Sequence, residues 1–435
     1  MAHQAYTIPW QTLADNLIYL HCNPRNHGIT NLYLRKTKDP NQGKQIRHFI
    51  RGFARALADY STIERKKYDD DPAPPDDDEI LISDAGVKKM ANTVLRYKSN
   101  DGNYTTPDSI DDILSPYERS AARFIKDTMP GEGDMFDGAA VACEQVKAML
   151  MHDEMDALFR LAAHPRVYFR RLWHENQYAN SHGFGLSKIL EAALQAYICL
   201  NVMTLKPQLY DAATLDAFIA SETAAGRNTY GTEEYDYRLT ATYQKMLLHC
   251  TGLPYGYCCE THTFPHREFF GVPRGMFRFE YDDTHYGCWQ KRNLGTQRVE
   301  ELAHGNFRGV HLPSKLDVAS VLNMLGQKGL PAELALQILD LAEYVPVGRL
   351  PVRGDPLHAS NAEELRKYIS YCWKLLIRID MLCKAGVNGG QLKWEAEVTD
   401  ALYTLFDMSG HSLFENAICE DDHIGWRYRR RVLVV

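Results

Sequence analysis

The stretch Leu186–Met203, LSKILEAALQAYICLNVM, decides the fold class. Its apolar residues fall on nearly every face of a helix, with Lys188, Glu191, Gln195 and Asn201 as isolated polar positions. A helix that is apolar nearly all round has no face to give to water, so other elements must surround it. The chain supplies them on both sides. Upstream, Ile46, Phe49, Ile50, Phe53 and Leu57 form one apolar stripe within Lys44–Lys66. Ser83-Asp84 can cap a helix over Ala85–Tyr97, and Ser115-Pro116-Tyr117-Glu118 has the N-cap, Pro and Glu pattern that starts a helix running into Ile125. Ala139–Leu161 carries Val146, Met149, Leu150, Leu158 and Leu161 at helical spacing.

Downstream, Leu215–Thr223 and Tyr235–His249 continue the helical pattern. Ser314 is placed to cap Lys315–Leu325, followed by helical stretches at Leu330–Glu343, Asn361–Cys383 and Trp394–Met408, with a proline-rich turn from Val345 to Pro356. Strand-like alternation is confined to Asn16–His21, Thr30–Arg35 and Met276–Tyr281. The expected fold is mostly α with a small β component, an α+β protein. Its small sheet comes from residues 16–36 and 276–312, and its C-terminal region is helical from Ser314.

Texture divides the chain into an N-terminal strand and helix segment over 1–68, a linker over 69–79, a central and expected catalytic domain over 80–313, and a C-terminal helical region over 314–435. The linker, DDDPAPPDDDE, combines acidic repulsion with three prolines, so it reads as an extended, exposed connector. With 45% hydrophobic and 24% charged residues, the 435-residue chain has the composition of a protein that buries a core, which excludes disorder over most of its length. Ten cysteines are scattered without framework spacing, no apolar run approaches the roughly 18 residues of a membrane span, and the N-terminus lacks the plan of a secretory signal. The expected address is the cytosol.

The net charge of −7 excludes nucleic-acid binding by overall basicity, so any such contact must use local patches. One patch is Lys44, Arg47, Arg51 and Arg55, which repeat on the face beside the apolar stripe of their helix. That arrangement serves equally as a solvated helix flank or as a face that tracks phosphates. A second is Arg170 and Arg171 among Tyr168, Phe169 and Trp173, and a third is Arg427–Arg431 before the apolar end Val432–Val435, which also reads as an edge strand.

Chemistry-bearing residues are densest between Cys250 and Pro313, where Gly and Pro are frequent and helical periodicity fades. Cys258, Cys259, Glu260, His262 and His266 lie within nine residues; His285 and Cys288 follow. His262 and His266 are candidates for proton transfer, because imidazole titrates near neutral pH. Cys258 or Cys259 beside an imidazole would make an activated thiol if the fold brings them within reach. The i,i+4 histidines could serve zinc, yet Pro265 is expected to keep a helix from running through them, and no HExxH or paired CxxC occurs, so no metal and no cofactor is assigned. Asp282 and Asp283 close the Met276–Tyr281 strand, where they form either a solvated turn or an acidic pocket for a cation such as a guanidinium.

Two resemblances follow from longer runs. Leu330-Pro-Ala-Glu-Leu-Ala-Leu-Gln-Ile-Leu resembles the opening of an F-box, which implies a helical interaction or adaptor role. Leu350–Ala385, LPVRGDPLHASNAEELRKYISYCWKLLIRIDMLCKA, resembles the C-terminal region of a group of fungal proteins, and in length, texture and helical end the chain is similar to the fungal arginine-containing cyclodipeptide synthases. The family's DDxxE pattern is absent; Asp282-Asp283 and Asp421-Asp422 lack the following Glu, so no catalytic residue carries over by motif. The second resemblance implies a transferase that joins arginine from arginyl-tRNA to a second aminoacyl group as a diketopiperazine in fungal secondary metabolism, without ATP. It implies aminoacyl-tRNA as partner. The residues expected to act are His262, His266, Asp282, Asp283 and Glu260, with Lys44, Arg47, Arg51, Arg55, Arg170 and Arg171 on the tRNA. A metal-dependent hydrolase built on the His/Cys cluster is the third class left open.

Overall fold

The computed structural model describes residues 7–20, 31–34, 41–98, 107–129, 137–173, 185–226, 236–252, 261–272, 312–342, 344–387, 392–406, 414–421 and 426–433. Within these the protein is mostly helical, with two small β-hairpins. The stretch that reads as a surrounded helix is one: α8 (Ser187–Thr204; α1–α7 precede it and are placed below) buries every residue from Ala192 to Met203. Helix α10 (Ala241–Thr251) and the long helix α14 (Ala362–Leu382) pack along it.

The N-terminal segment closes the other side of α14. Helix α1 (Trp10–Asp15) leads into β1 (Leu17–Leu20), which pairs antiparallel with β2 (Asn31–Leu34), and α2 (Gln42–Arg65) lays Ile46, Phe49, Ile50, Phe53 and Leu57 inward. An aromatic cluster ties four helices together. Trp10 of α1 lies 5.2 Å from Phe49, 5.5 Å from Phe53 and 5.7 Å from Tyr197 of α8, and Phe53 stacks on Trp373 of α14 at 6.4 Å. Offset and edge contacts of this kind add to the large apolar area that aromatic rings bury. One cluster of buried apolar residues runs from Ile8 to Phe406 and takes members from the N-terminal, central and C-terminal segments, with none from 69–79.

The acidic stretch 69–79 is irregular, as its composition requires, and it is pinned to the body. Arg160 of α7 (Met155–Ala163) grips Glu79 with both guanidinium nitrogens at 2.6 and 2.8 Å and donates from Nε to the Ala73 carbonyl at 3.1 Å. His164 and Arg166 both meet Asp77.

Three expectations need correction. The Ser115 pattern makes its reciprocal bonds (Ser115 N–H to Glu118 at 2.7 Å, Glu118 N–H to the Ser115 hydroxyl at 3.3 Å), yet residues 116–119 form a turn and α5 starts at Ala121 (Ala121–Thr128). Tertiary ties override the local signal. Arg119 is drawn to Asp84 and Asp111 on either side of α3 (Asp84–Lys98) and the short α4 (Ile110–Ile113), and Ser120 bridges to Ile80. Second, Ala139–Leu161 is two helices, α6 (Asp137–Met151) and α7, broken where Asp153 takes φ 67°. Arg378 of α14 fixes that break by donating to the carbonyls of Leu150 and Met151 at 3.0 and 3.1 Å and pairing with Asp153. Third, the C-terminal region ends in a hairpin. After α15 (Trp394–Leu405), β3 (Phe414–Asp421) pairs antiparallel with β4 (Trp426–Leu433), register Phe414 to Leu433, and β4 packs on α15. The strand expected at 276–281, and with it the sheet contribution of 276–312, lies outside the described residues.

Between α10 and α14 come α11 (Phe264–Phe270), α12 (Lys315–Gln327) and α13 (Ala332–Leu341), while α9 (Ala212–Ala224) stands between α8 and α10. Ser314 caps α12 with a reciprocal capping box to Asp317, as the sequence predicts. The ends of the α12–α13 hairpin are held together where Ser314 bridges to Gly348 and the Gly348 N–H donates to Pro313 at 2.7 Å. A Cβ at position 348 would lie 2.8 Å from the Leu312 carbonyl oxygen, so the close approach needs glycine.

Candidate functional site

The site is built around the turn that carries the two candidate histidines. Thr261–Thr263 is a short 3₁₀ turn that touches α3, α6, α8 and α10, and α11 follows without a break. Pro265 lies in the first turn of α11, where its missing N–H has no helical acceptor to lose; the α-helix starts after His262 and carries His266 alone. Gly271, at φ 67°, ends α11, and the Val272 N–H closes back on Arg267 at 3.0 Å.

His266 is fully enclosed. Its Nδ1 lies 2.5 Å from the phenolic oxygen of Tyr368 on α14, and the rings meet edge-on. Tyr368 in turn stacks on Phe269 at 3.8 Å. Burial, with Arg349 nearby, pulls the His266 imidazole down to about 3. Burial, then the Cys372 and Cys250 thiols, holds Tyr368 well above the usual phenol value. Both partners are therefore neutral at working pH, and the hydrogen bond between them runs from whichever of the phenol O–H and Nδ1–H carries the proton.

His262 is also buried, and its Nδ1 has no hydrogen-bond partner among the described residues; the Thr261 hydroxyl stands likewise. Burial lowers the His262 imidazole well below its ordinary value, and Lys147, His266, Lys188 and Arg267 push in the same direction. Glu144 and Lys147, one turn apart on α6 and both fully buried, form an ion pair at 2.7 Å. The second Glu144 oxygen accepts the Thr261 backbone N–H at 2.7 Å. Lys188 pairs with Glu191 at 3.0 Å, and the Arg267 guanidinium lies 4.5 Å over the Phe264 ring. Nearer the surface, Glu268 is bridged by Arg96 of α3 and by Arg349 at 3.2 Å. The turn thus sits in a buried polar setting whose two lysines are each matched by a carboxylate, Lys147 by Glu144 and Lys188 by Glu191.

The structure brings His262 and His266 into one cluster. The other predicted catalytic residues, Glu260, Asp282 and Asp283, lie outside the described residues, as do Cys258, Cys259, His285 and Cys288. The described cysteines Cys143, Cys199, Cys250, Cys372 and Cys383 are free and buried, and burial raises the Cys372 thiol to about 12, so these are apolar packing residues and not nucleophiles. Among the described residues no group of three His, Cys, Asp or Glu side chains is placed to hold a metal ion. Glu144, Lys147 and Tyr368 do not stand out in the sequence as site residues. A legible trace exists for the first two: they are the ionic pair in the otherwise apolar run AAVACEQVKAMLM.

The basic residues of α2 keep one side of that helix. Lys44, Arg51 and Arg55 are exposed along one side of α2, with Arg47 half-buried beside them. A groove of about 820 Å³ opens between Arg51 and Arg55 of α2 and Leu392, Lys393 and Trp394 at the start of α15, where Arg51 lies 3.8 Å from Glu395. Lys44 and His48 line a second groove, of about 420 Å³, against Asp15. Arg170 is half-buried in the 3₁₀ turn Phe169–Leu172, which packs on α5 and α6, and Arg171 shares the backbone of that turn. No described helix is long and apolar enough to cross a membrane.

Residues 11–415 match the family model described as Gramillins biosynthetic cluster protein GRA5. The match covers most of the chain and places it among fungal secondary-metabolite biosynthetic proteins. It supports the fungal biosynthetic part of the resemblance and does not reach the cyclodipeptide synthases. No curated protein and no solved structure matches the chain.

Proposed function

The chain belongs to the family described as Gramillins biosynthetic cluster protein GRA5, and we propose that it is an amide-forming enzyme of fungal secondary metabolism that takes its acyl groups as aminoacyl-tRNA, arginyl-tRNA among them, to give a cyclic dipeptide. The observation that carries the reading is the buried turn Thr261–Thr263, where the His262 Nδ1 and the Thr261 hydroxyl have no hydrogen-bond partner among the described residues. Aminolysis of an ester needs a group that carries a proton from the attacking amine to the leaving oxygen, and an unpartnered imidazole nitrogen can serve as one.

In this reading the amine of one aminoacyl group attacks the ester carbonyl of the other. The C–N bond forms, the C–O bond to the tRNA ribose breaks, and the ammonium proton passes through His262, whose Nδ1 is available, to the leaving ribose oxygen. A second aminolysis, the remaining amine on the remaining ester, closes the ring. His266, held by Tyr368, positions the turn. Lys44, Arg47, Arg51 and Arg55 hold the tRNA backbone along α2, and Arg170 and Arg171 extend that contact. Asp282 and Asp283 keep the role of holding the arginyl guanidinium, and Glu260 stays a catalytic candidate beside the turn in sequence. Esters are already activated, so the reaction requires positioning more than energy.

The test is expression in bacteria, followed by mass spectrometry of extracts for arginine-containing diketopiperazines. Their appearance with the wild-type chain and their loss in the His262→Ala variant supports the reading. A folded, well-expressed chain that yields none overturns it.

A further inference from the structure

A backbone N–H at the start of a helical turn has no acceptor within the turn, and one that is buried must find a partner elsewhere. Thr261 opens the turn Thr261–Thr263, whose three residues are all buried. Its N–H donates to a side chain of another element, Oε2 of Glu144 on α6, at 2.7 Å. The other Glu144 oxygen holds the Lys147 ammonium at 2.7 Å, and both side chains of that pair are fully buried. The carboxylate is thus fixed at two points. The side chains of the turn are left open: the Thr261 hydroxyl and the His262 Nδ1, on adjacent residues, have no hydrogen-bond partner among the described residues.

We propose, on the reading that His262 carries the proton, that Glu144 is a positioning residue, which anchors the backbone of the turn so that the Thr261 hydroxyl and the His262 imidazole are presented to substrate. Cost favours this. A buried ion pair loses about as much in desolvation as it regains in attraction, and apolar side chains of similar volume would pack α6 as well or better. In the largely apolar run AAVACEQVKAMLM the pair is out of place unless its acceptor is used. Strength favours it too. A carboxylate that accepts a backbone N–H makes a charge-assisted bond, and a firm anchor suits a proton-transfer group whose rate depends on its placement. The tie is made to the backbone, so it consumes neither of the two side chains that face substrate.

Two double variants of the full chain test the anchor. Glu144→Gln/Lys147→Met removes both charges and keeps an acceptor for the Thr261 N–H; Glu144→Leu/Lys147→Met removes the charges and the acceptor together. The first readout is the ring resonance of His262 in protein carrying isotope-labelled histidine, assigned by its loss in His262→Gln, and it requires no catalysis. That resonance is expected to move in the variant without the acceptor and to return toward its wild-type position in the one that keeps it. The second readout is cyclic-dipeptide formation. Without the acceptor kcat is expected to fall about tenfold or more with KM changed by about threefold at most, and most of the loss is recovered where the acceptor is kept. An unmoved resonance without the acceptor, or equal displacement in both variants, overturns the proposal. A wild type that makes no cyclic dipeptide defeats the aminolysis reading, and the resonance then decides the anchor alone by the same outcomes. Where the acceptor-free chain does not fold, Glu144→Asp takes its place: it keeps both charges, draws the carboxylate back by one methylene, and overturns the proposal if the resonance stays put.

Discussion

The phenolic oxygen of Tyr368 lies 2.5 Å from Nδ1 of His266, tying α14 to α11 inside the buried polar cluster. The bond joins elements about a hundred residues apart in sequence, and both of its groups are enclosed. Tyr368→Phe keeps the stacking on Phe269 and removes only the hydroxyl, leaving the imidazole nitrogen unsatisfied. A loss of about 1–3 kcal/mol in stability is expected, read by urea unfolding, since an orphaned buried polar group costs that much. An unchanged midpoint would show that the bond contributes nothing.

Acid should weaken the fold through the buried histidines. His266 is held at about 3, and His152, whose Nε2 lies 2.8 Å from the Thr93 hydroxyl, at about 4, burial being the leading cause for each. In the unfolded chain both titrate near 6.5. A depressed histidine leaves the unfolded state with more protons below pH 6.5, so stability is full above that value and falls as pH drops toward 4. Between pH 7 and pH 5, His266 alone accounts for about 2 kcal/mol. Melting temperatures measured across that range should fall with pH, and less steeply in His152→Gln.

The Glu144–Lys147 pair gives a test of coupling. Lys147→Met strands a buried carboxylate and is expected to cost about 3–5 kcal/mol. Glu144→Gln/Lys147→Met removes both charges while keeping an acceptor for the Thr261 N–H, and it should recover more than half of that loss. Equal losses in the single and double variants, measured by denaturant titration, would mean that the two residues do not act as a pair.

Along α2, Lys44→Gln/Arg47→Gln/Arg51→Gln/Arg55→Gln is expected to weaken tRNA binding at least tenfold. It should also flatten the dependence on salt, by roughly one unit of log–log slope for each phosphate that the variant no longer neutralises. Fluorescence anisotropy with labelled tRNA at several salt concentrations reads both. Unchanged affinity would remove this face from RNA recognition.

Much of the fold is legible in the chain because helical periodicity is written locally. Leu186–Met203 reads as a surrounded helix, and the inward stripe of α2 is visible in five residues. The failures are places where distant contacts win. Arg119 is claimed by Asp84 and Asp111, which stops the Ser115 pattern from propagating, and Arg378, far along the chain, caps α6 and permits its break at Asp153. The edge strand is legible at the apolar end Val432–Val435, whereas its partner Phe414–Asp421 is not, because FENAICED lacks clean alternation. In the site, His262 and His266 stand out by density, whereas Tyr368 and Lys147 lie in helices whose periodic pattern is that of ordinary core. Only the fold shows that they point at the same turn.

The most direct test of the proposed chemistry uses purified protein, tRNA charged with radiolabelled arginine, and a second aminoacyl-tRNA, without ATP. The account predicts transfer of label into an arginine-containing cyclic dipeptide, abolished by prior RNase treatment and reduced at least a hundredfold in His262→Ala, an effect in the range of a lost acid–base group. Label that stays on tRNA or is released only as free arginine, with folded wild-type protein, would contradict it.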